Sequence, residues 1–180
     1  MKLFKENKKF LTESNIKFIN EIVLGQSFNY FFCYTKPDCK DLDYLFLVHV
    51  VLNRLENRHL KDVINTTPEI YDQTIDILNN FLLSVNEKAY FFTRIAYNLT
   101  FKTSIPRTQA HRDHTFKHKQ IIIYLNDADK ESKTCILDKK GKLIKEIVPE
   151  KFKGFCFDDN DHYHYFPNKG ARVVLVATYI

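Results

Sequence analysis

His111 and Asp113 stand two residues apart in the stretch His111-Arg112-Asp113. Side chains alternate between faces along an extended segment. An imidazole and a carboxylate at i and i+2 therefore point the same way and can grip one metal ion. A third ligand from a distant strand would complete a face of three, and two later histidines are available for it, His162 and His164. Two imidazoles and one carboxylate on one face of an octahedral ion leave its other positions open, which is the donor set of non-haem ferrous iron. Zinc favours a tetrahedral site richer in His or Cys and fits less well. The triplet alone is a weak signal, because a surface histidine beside a solvated aspartate gives the same pattern. Its setting adds weight: Arg172 opens the last apolar run, where a guanidinium can pair bidentately with a carboxylate held between strands.

The elements that must position these groups fall into two halves. Ser14-Asn15 offers a helix N-cap ahead of Ile16, Ile19, Ile22 and Val23, which share one helical side. The apolar run from Tyr44 to Leu55 has the length of a second helix. A third begins at Thr67-Pro68, with Thr67 as cap, Pro68 in the first turn, and Ile70, Leu78, Phe81, Leu82 and Val85 as its buried stripe. From Lys88 the period becomes two: Phe91, Thr93, Ile95, Tyr97, Leu99 and Phe101 alternate with a second face that carries Arg94 and Asn98. Strands are expected at 120–125, 134–137, 142–148, 155–157, 162–166 and 172–179. Turn residues separate them at Asn126-Asp127, Asp138 to Gly141 and Pro167 to Gly170. Closely spaced short strands without intervening helices predict an antiparallel sandwich or barrel. The expectation is one α+β domain over residues 1–180, with helices mainly in 14–88 and a β core from about 89.

Bulk composition agrees with a globular chain: 44% of its 180 residues are hydrophobic and 14% aromatic, with no Trp. The net charge of +5 comes from scattered lysines, so it permits an anionic partner without requiring one. Cys33, Cys39, Cys135 and Cys156 are far apart and form no CxxC pair, which points to core residues or free thiols in a reducing compartment. No apolar run is long enough to span a membrane and the N-terminus does not read as a secretory signal, so an intracellular, soluble protein is expected. His49, inside an apolar run, reads as a satisfied core histidine, and His114 and His118 as solvated loop histidines with substrate contact as the other option.

The segment HRDHTFKHKQIIIYLN, His111 to Asn126, resembles the metal-binding strand pair of 2-oxoglutarate/Fe(II)-dependent oxygenases, especially small members found in viruses and phages. The run from Phe157-Asp158-Asp159 through His162, Pro167 and Arg172 to Tyr179 looks like that family's closing motif. The resemblance covers roughly residues 92–180 and implies a double-stranded β-helix (jelly-roll, cupin-like) core. It also implies Fe(II), with 2-oxoglutarate and O2 as cosubstrates. Carried over, it makes His111, Asp113 and His162 the iron ligands and Arg172 the partner of the distal 2-oxoglutarate carboxylate. Asn98 and Tyr124 would help hold that cosubstrate. Ten positions separate His162 from Arg172, which suits the family, whereas His164 stands only eight away. Yet Tyr163-His164 looks like the aromatic-His pair common before the family's turn. Strand parity does not separate two histidines at i and i+2, so His164 stays open as the alternative distal ligand or as a contact beside the site. The implied activity is a hydroxylase-type dioxygenase. The alternative is a barrel without catalysis that binds a ligand or senses a metal. The substrate is open among a protein side chain, a small molecule and a nucleobase, and the oligomeric state is open too.

Overall fold

The computed structural model describes residues 3–33, 46–59 and 62–180. Its larger sheet has seven strands. In chain order these are β1 (Phe4–Asn7), β2 (Phe31–Cys33), β3 (Phe46–Leu52), β4 (Phe92–Phe101), β5 (Lys119–Tyr124), β8 (Gly154–Asp158) and β10 (Ala171–Tyr179), laid side by side as β1-β8-β5-β10-β4-β3-β2. The smaller sheet has β6 (Thr134–Leu137) at its centre, between β7 (Leu143–Ile147) and β9 (His162–His164). All the pairings are antiparallel. The chain passes from one sheet to the other between β5 and β6, between β7 and β8, between β8 and β9, and between β9 and β10.

Strand alternation gives the larger sheet two buried faces. Ile121, Ile123, Cys156, Leu175, Ala177, Ile95 and Tyr97 point one way, into the main core under the helices. Ile122, Tyr124, Phe155, Phe157, Val174 and Val176 point the other way, into a second cluster with Ile136 and Ile147 of the smaller sheet. The register puts Asn98 opposite Val174 and Thr100 opposite Arg172, so the polar face of β4 looks into the space between the sheets. The helix α2 (Pro68–Ser84) covers the other face. Thr67 caps it and Pro68 starts it, as expected. It stops at Asn86, whose φ of 50° closes a Schellman turn with Asn86 N–H on Leu83 O at 3.1 Å and Glu87 N–H on Leu82 O at 2.9 Å. Phe81 is fully buried, edge-on to Phe10 at 5.1 Å, and lies against Gly154, where a Cβ would approach its ring to 2.7 Å.

The expected helical N-terminal half is corrected: β1, β2 and β3 all lie in it. The segment read as a helix from Tyr44 to Leu55 is strand β3 as far as Leu52, while Tyr44 and Leu45 lie outside the described residues. A strand buried on both faces and a buried helix give the same unbroken apolar run, and here β-branched Val48, Val50 and Val51 favour the strand. The first helix, α1 (Glu13–Phe18), is capped by Thr12 rather than Ser14, with Asn15 completing a reciprocal capping box. It continues as a π-turn over Ile19–Val23, which shifts the helical phase and leaves Ile22 46% exposed while Ile19 and Val23 stay buried. Cys39 also lies outside the described residues. Among the described residues, no helix is long and apolar enough to cross a membrane.

Truncating Phe81 to Ala should lower the free energy of unfolding by about 4 kcal/mol, because a fully buried ring leaves a cavity that its neighbours cannot fill. Urea denaturation measures this directly. A loss below about 1 kcal/mol would show that α2 is not anchored on the sheet through this ring.

Candidate active site

His111 and His162 meet across an isolated antiparallel bridge, with His111 N–H on His162 O at 3.0 Å and His162 N–H on His111 O at 2.9 Å. Their rings lie 4.5 Å apart. In each, Nδ1 faces a backbone carbonyl two residues upstream: Gln109 O at 3.0 Å for His111 and Asn160 O at 3.4 Å for His162. An Nδ1–H donated to a carbonyl leaves the Nε2 lone pair as the free one, the tautomer in which imidazole ligates a metal. Nε2 of His162 is met at 3.3 Å by the side-chain amide of Gln120, a buried residue on β5. Burial, then the neighbouring His111, push the His162 imidazolium down to about 4, so the ring is neutral near pH 7.

Asp113 reaches this pair from the loop before β5, its side chain only 4% exposed. Its Oδ1 accepts from Arg54 at 3.1 Å and Arg94 at 3.3 Å, and Arg54 also donates to its backbone carbonyl. Burial alone would raise the carboxyl's pKa. The guanidinium of Arg94, then His162, Arg54 and His111, outweigh it and hold the group well below the usual carboxylate range. Asp113 is therefore a carboxylate at any ordinary pH. Among the described residues, no three His, Cys, Asp or Glu side chains already converge as a metal would hold them.

Arg172 lies deeper, on β10, and is 2% exposed. Its Nη2 donates to Thr134 Oγ1 at 2.9 Å and its guanidinium lies 5.3 Å from the centre of the Tyr124 ring. Its Nε has no partner, and no carboxylate pairs with it among the described residues. Burial pulls the guanidinium's pKa down from its usual value. The Tyr124 hydroxyl is shared with Thr134 at 2.7 Å and Ile147 O at 3.3 Å. His164 is paired in register with Thr134, and its buried Nε2 is unpartnered. Burial, then Arg172, hold this imidazole neutral. The structure thus separates the two histidines that parity left together: His162 stands against His111, and His164 belongs with Thr134. Asn98 faces the same space from β4, with an unpartnered Oδ1.

The solvated reading of His114 and His118 is corrected, since both are buried. His114 has Nδ1 on Glu56 at 2.7 Å and Nε2 on Thr178 at 2.8 Å, so both nitrogens are used and it pins the Asp113 loop to β10. His118 turns Nδ1 to Phe116 O at 2.9 Å. His49 is the satisfied core residue expected, bonded to Asn29 O at 2.8 Å and Thr66 at 2.9 Å. A cleft of about 560 Å³ opens beside the site, lined by Arg54, Glu56, Arg112, Asp113, His114 and Asp161. Arg54, Glu56 and Gln120 were missed by sequence reasoning. Gln120 shares strand parity with Tyr124, a usable signal, whereas Arg54 and Glu56 meet the site across 59 and 58 residues of separation and leave no local pattern.

No protein-family model matches the sequence, and no characterised protein does. Solved structures do match. A 2OG-Fe(II) oxygenase family oxidoreductase from Burkholderia pseudomallei superposes with a TM-score of 0.73 at 14% identity, over 98% of this chain and 84% of that one. A prolyl hydroxylase from Trichoplax adhaerens, solved with a hypoxia inducible factor oxygen degradation domain peptide fragment, gives 0.65 at 13% identity over 98% and 83%. A prolyl-4-hydroxylase from Pseudomonas putida gives 0.61 at 9% identity over 98% and 91%. The chain therefore has the 2-oxoglutarate/Fe(II) oxygenase-like fold.

Replacing Arg94 by Met should destabilise the metal-free protein by about 3 kcal/mol at pH 7, because Asp113 then stays buried with only partly exposed Arg54 opposite it. A carboxylate with a depressed pKa stabilises the fold above its unfolded pKa and loses that contribution as pH falls through the folded value. The wild-type advantage should therefore be full at neutral pH and shrink below the ordinary carboxylate range, where the variant's Asp113 protonates first. Denaturant titrations at pH 7 and pH 3 test this, and an equal gap at both would rule it out.

Proposed function

We propose that this chain is a 2-oxoglutarate-dependent non-haem Fe(II) dioxygenase of the hydroxylase type. His111 and His162 would hold iron through Nε2, Asp113 would supply the carboxylate, and Arg172 would bind the distal carboxylate of 2-oxoglutarate. The observation that carries the reading is a buried guanidinium that no carboxylate among the described residues pairs, together with two adjacent imidazoles whose Nδ1 atoms face backbone carbonyls and so turn Nε2 outward, Nε2 of His162 being met by the Gln120 amide alone. A desolvated cation without a carboxylate is unfavourable on its own, and an anionic ligand reverses the balance.

The donor chemistry fits the metal: two imidazoles and one carboxylate are what a divalent ion needs, and burial keeps His162 neutral while the flanking guanidiniums keep Asp113 ionised at pH 7. Arg54 and Arg94 occupy Oδ1 of Asp113, which leaves Oδ2 for the metal. Bound iron with 2-oxoglutarate and O2 supplies oxidative decarboxylation to succinate coupled to attack on a substrate C–H bond. The chain's own residues orient and shield. Arg172 fixes the far end of the cosubstrate, and the Tyr124–Thr134 pair keeps Arg172 aimed. Asn98 faces the cosubstrate from β4. Ile122, Phe155, Phe157, Val174 and Val176 keep bulk water from the buried end. The open cleft at Asp113, Arg112 and Glu56 is the approach for the substrate. A protein side chain leads the substrate classes, since the T. adhaerens neighbour was solved with a peptide, ahead of a small molecule and a nucleobase.

Anaerobic addition of 2-oxoglutarate to the Fe(II)-loaded protein should give a weak visible absorption band that Asp113→Ala abolishes. Arg172→Met should weaken 2-oxoglutarate binding about 100-fold, the consequence of losing about 3 kcal/mol of charge-assisted contact. The same substitution should leave the ligand-free protein as stable or more stable, because it removes an unpaired buried charge. A band retained in Asp113→Ala would exclude the iron site, and unchanged affinity in Arg172→Met would exclude the arginine's role.

A further inference from the structure

Two buried side-chain nitrogens between the sheets lack partners: Nε of Arg172 and Nε2 of His164. They belong to one cluster. The register of β6 and β9 pairs Thr134 with His164 and Ile136 with His162, so the side chains of all four share one face of the smaller sheet. That face is the inner one, because Ile136 belongs to the inner cluster and Thr134 Oγ1 reaches both Arg172, at 2.9 Å, and the Tyr124 hydroxyl, at 2.7 Å. His164 sits across from the residue that anchors Arg172, and its backbone N–H is tied to Thr108 Oγ1 at 3.0 Å, which fixes the ring's origin. The ring packs edge-on against Phe166 at 5.4 Å. Nothing protein-borne among the described residues answers either nitrogen, although buried polar atoms are ordinarily paired.

Resting on the reading above, we propose that His164 is a second cosubstrate-binding residue, whose Nε2–H donates to the same distal carboxylate that Arg172 holds. A carboxylate has two oxygens and about four acceptor positions, so one group answers both orphaned donors. An imidazole that donates through Nε2–H gives this carboxylate a directed hydrogen bond from the β9 side, opposite Thr134, which holds Arg172. Arg172 attracts a carboxylate of any shape, and His164 selects one that reaches the β6–β9 side. This places His164 in cosubstrate recognition and removes it from the metal's coordination.

The test is titration calorimetry of 2-oxoglutarate into Mn(II)-loaded protein, where no turnover occurs. His164→Phe keeps the ring and removes the donor. It should weaken 2-oxoglutarate binding tenfold or more while Mn(II) affinity stays within threefold of wild type. His164→Gln, which restores an N–H, should recover most of the loss. Equal 2-oxoglutarate affinity in wild type and His164→Phe would overturn the proposal alone, and loss of Mn(II) binding in that variant would make His164 a metal ligand instead. A wild-type protein that binds Mn(II) but not 2-oxoglutarate, or binds neither, would overturn the proposed function and this inference with it. A measurement without substitution covers a variant that fails to fold. In the Zn(II)-loaded wild type, the 15N-edited resonance of His164 Nε2–H should move downfield on addition of 2-oxoglutarate, and an unmoved resonance would again overturn the proposal.

Discussion

Arg172 carries its charge into the space between two sheets, where burial is nearly complete and no carboxylate among the described residues meets it. Much of the surrounding arrangement follows from that placement. Arg172 begins the central strand β10, whose neighbours β4 and β5 supply Thr100 and Tyr124 on the same face. The Tyr124 ring receives the cation, and Thr134 on the opposite sheet ties the guanidinium down. Ile122, Ile136, Phe155, Val174 and Val176 make much of the surrounding layer apolar, which limits the screening of the charge by water. A sequence selected only for stability would place a methionine or leucine here. Keeping an arginine in such a position is the local violation of folding rules expected where a ligand completes the structure.

The surroundings of Asp113 have the opposite construction. There the buried group is an anion, Asp113, over-compensated by two guanidiniums and near the His111–His162 pair. Arg94 comes from the same inner face of β4 that carries Asn98, and Arg54 from the turn after β3, so the loop bearing Asp113 is held from two separate elements. His114 adds a third tie, through Glu56 and Thr178. These bonds orient the carboxylate without any metal, which is the support a ligating group needs from its surroundings.

The β half of the chain was largely legible because each of its strands has a turn residue at its end and a consistent parity. β6 spans the residues expected, and Gly141 and Gly170 take positive φ at the anticipated turns. The polar parity of β4 pointed correctly to Arg94 and Asn98 as a distinct face. What failed was the N-terminal half. An apolar run buried on both sides has no period to read, and a π-turn moves Ile22 out of phase. In the candidate site the local part, the His111-x-Asp113 spacing, could be read from the sequence as a possible chelate. The placement of His162 and His164 was not legible, because pairing between strands decides it: the isolated bridge puts His162 against His111, and the β6–β9 register puts His164 opposite Thr134. Charges from sequence-distant turns, such as Arg54 and Glu56, leave no mark on the residues they serve.

The proposed function requires a metal held by His111, Asp113 and His162 and a dicarboxylate whose far end lies on Arg172. Diffraction from crystals grown without oxygen in Mn(II) and 2-oxoglutarate tests it most directly. The prediction is an ion on Nε2 of both histidines and one oxygen of Asp113, with the distal carboxylate of 2-oxoglutarate against Arg172. An ion ligated by His164 in place of His162, or a 2-oxoglutarate bound away from Arg172, would contradict it.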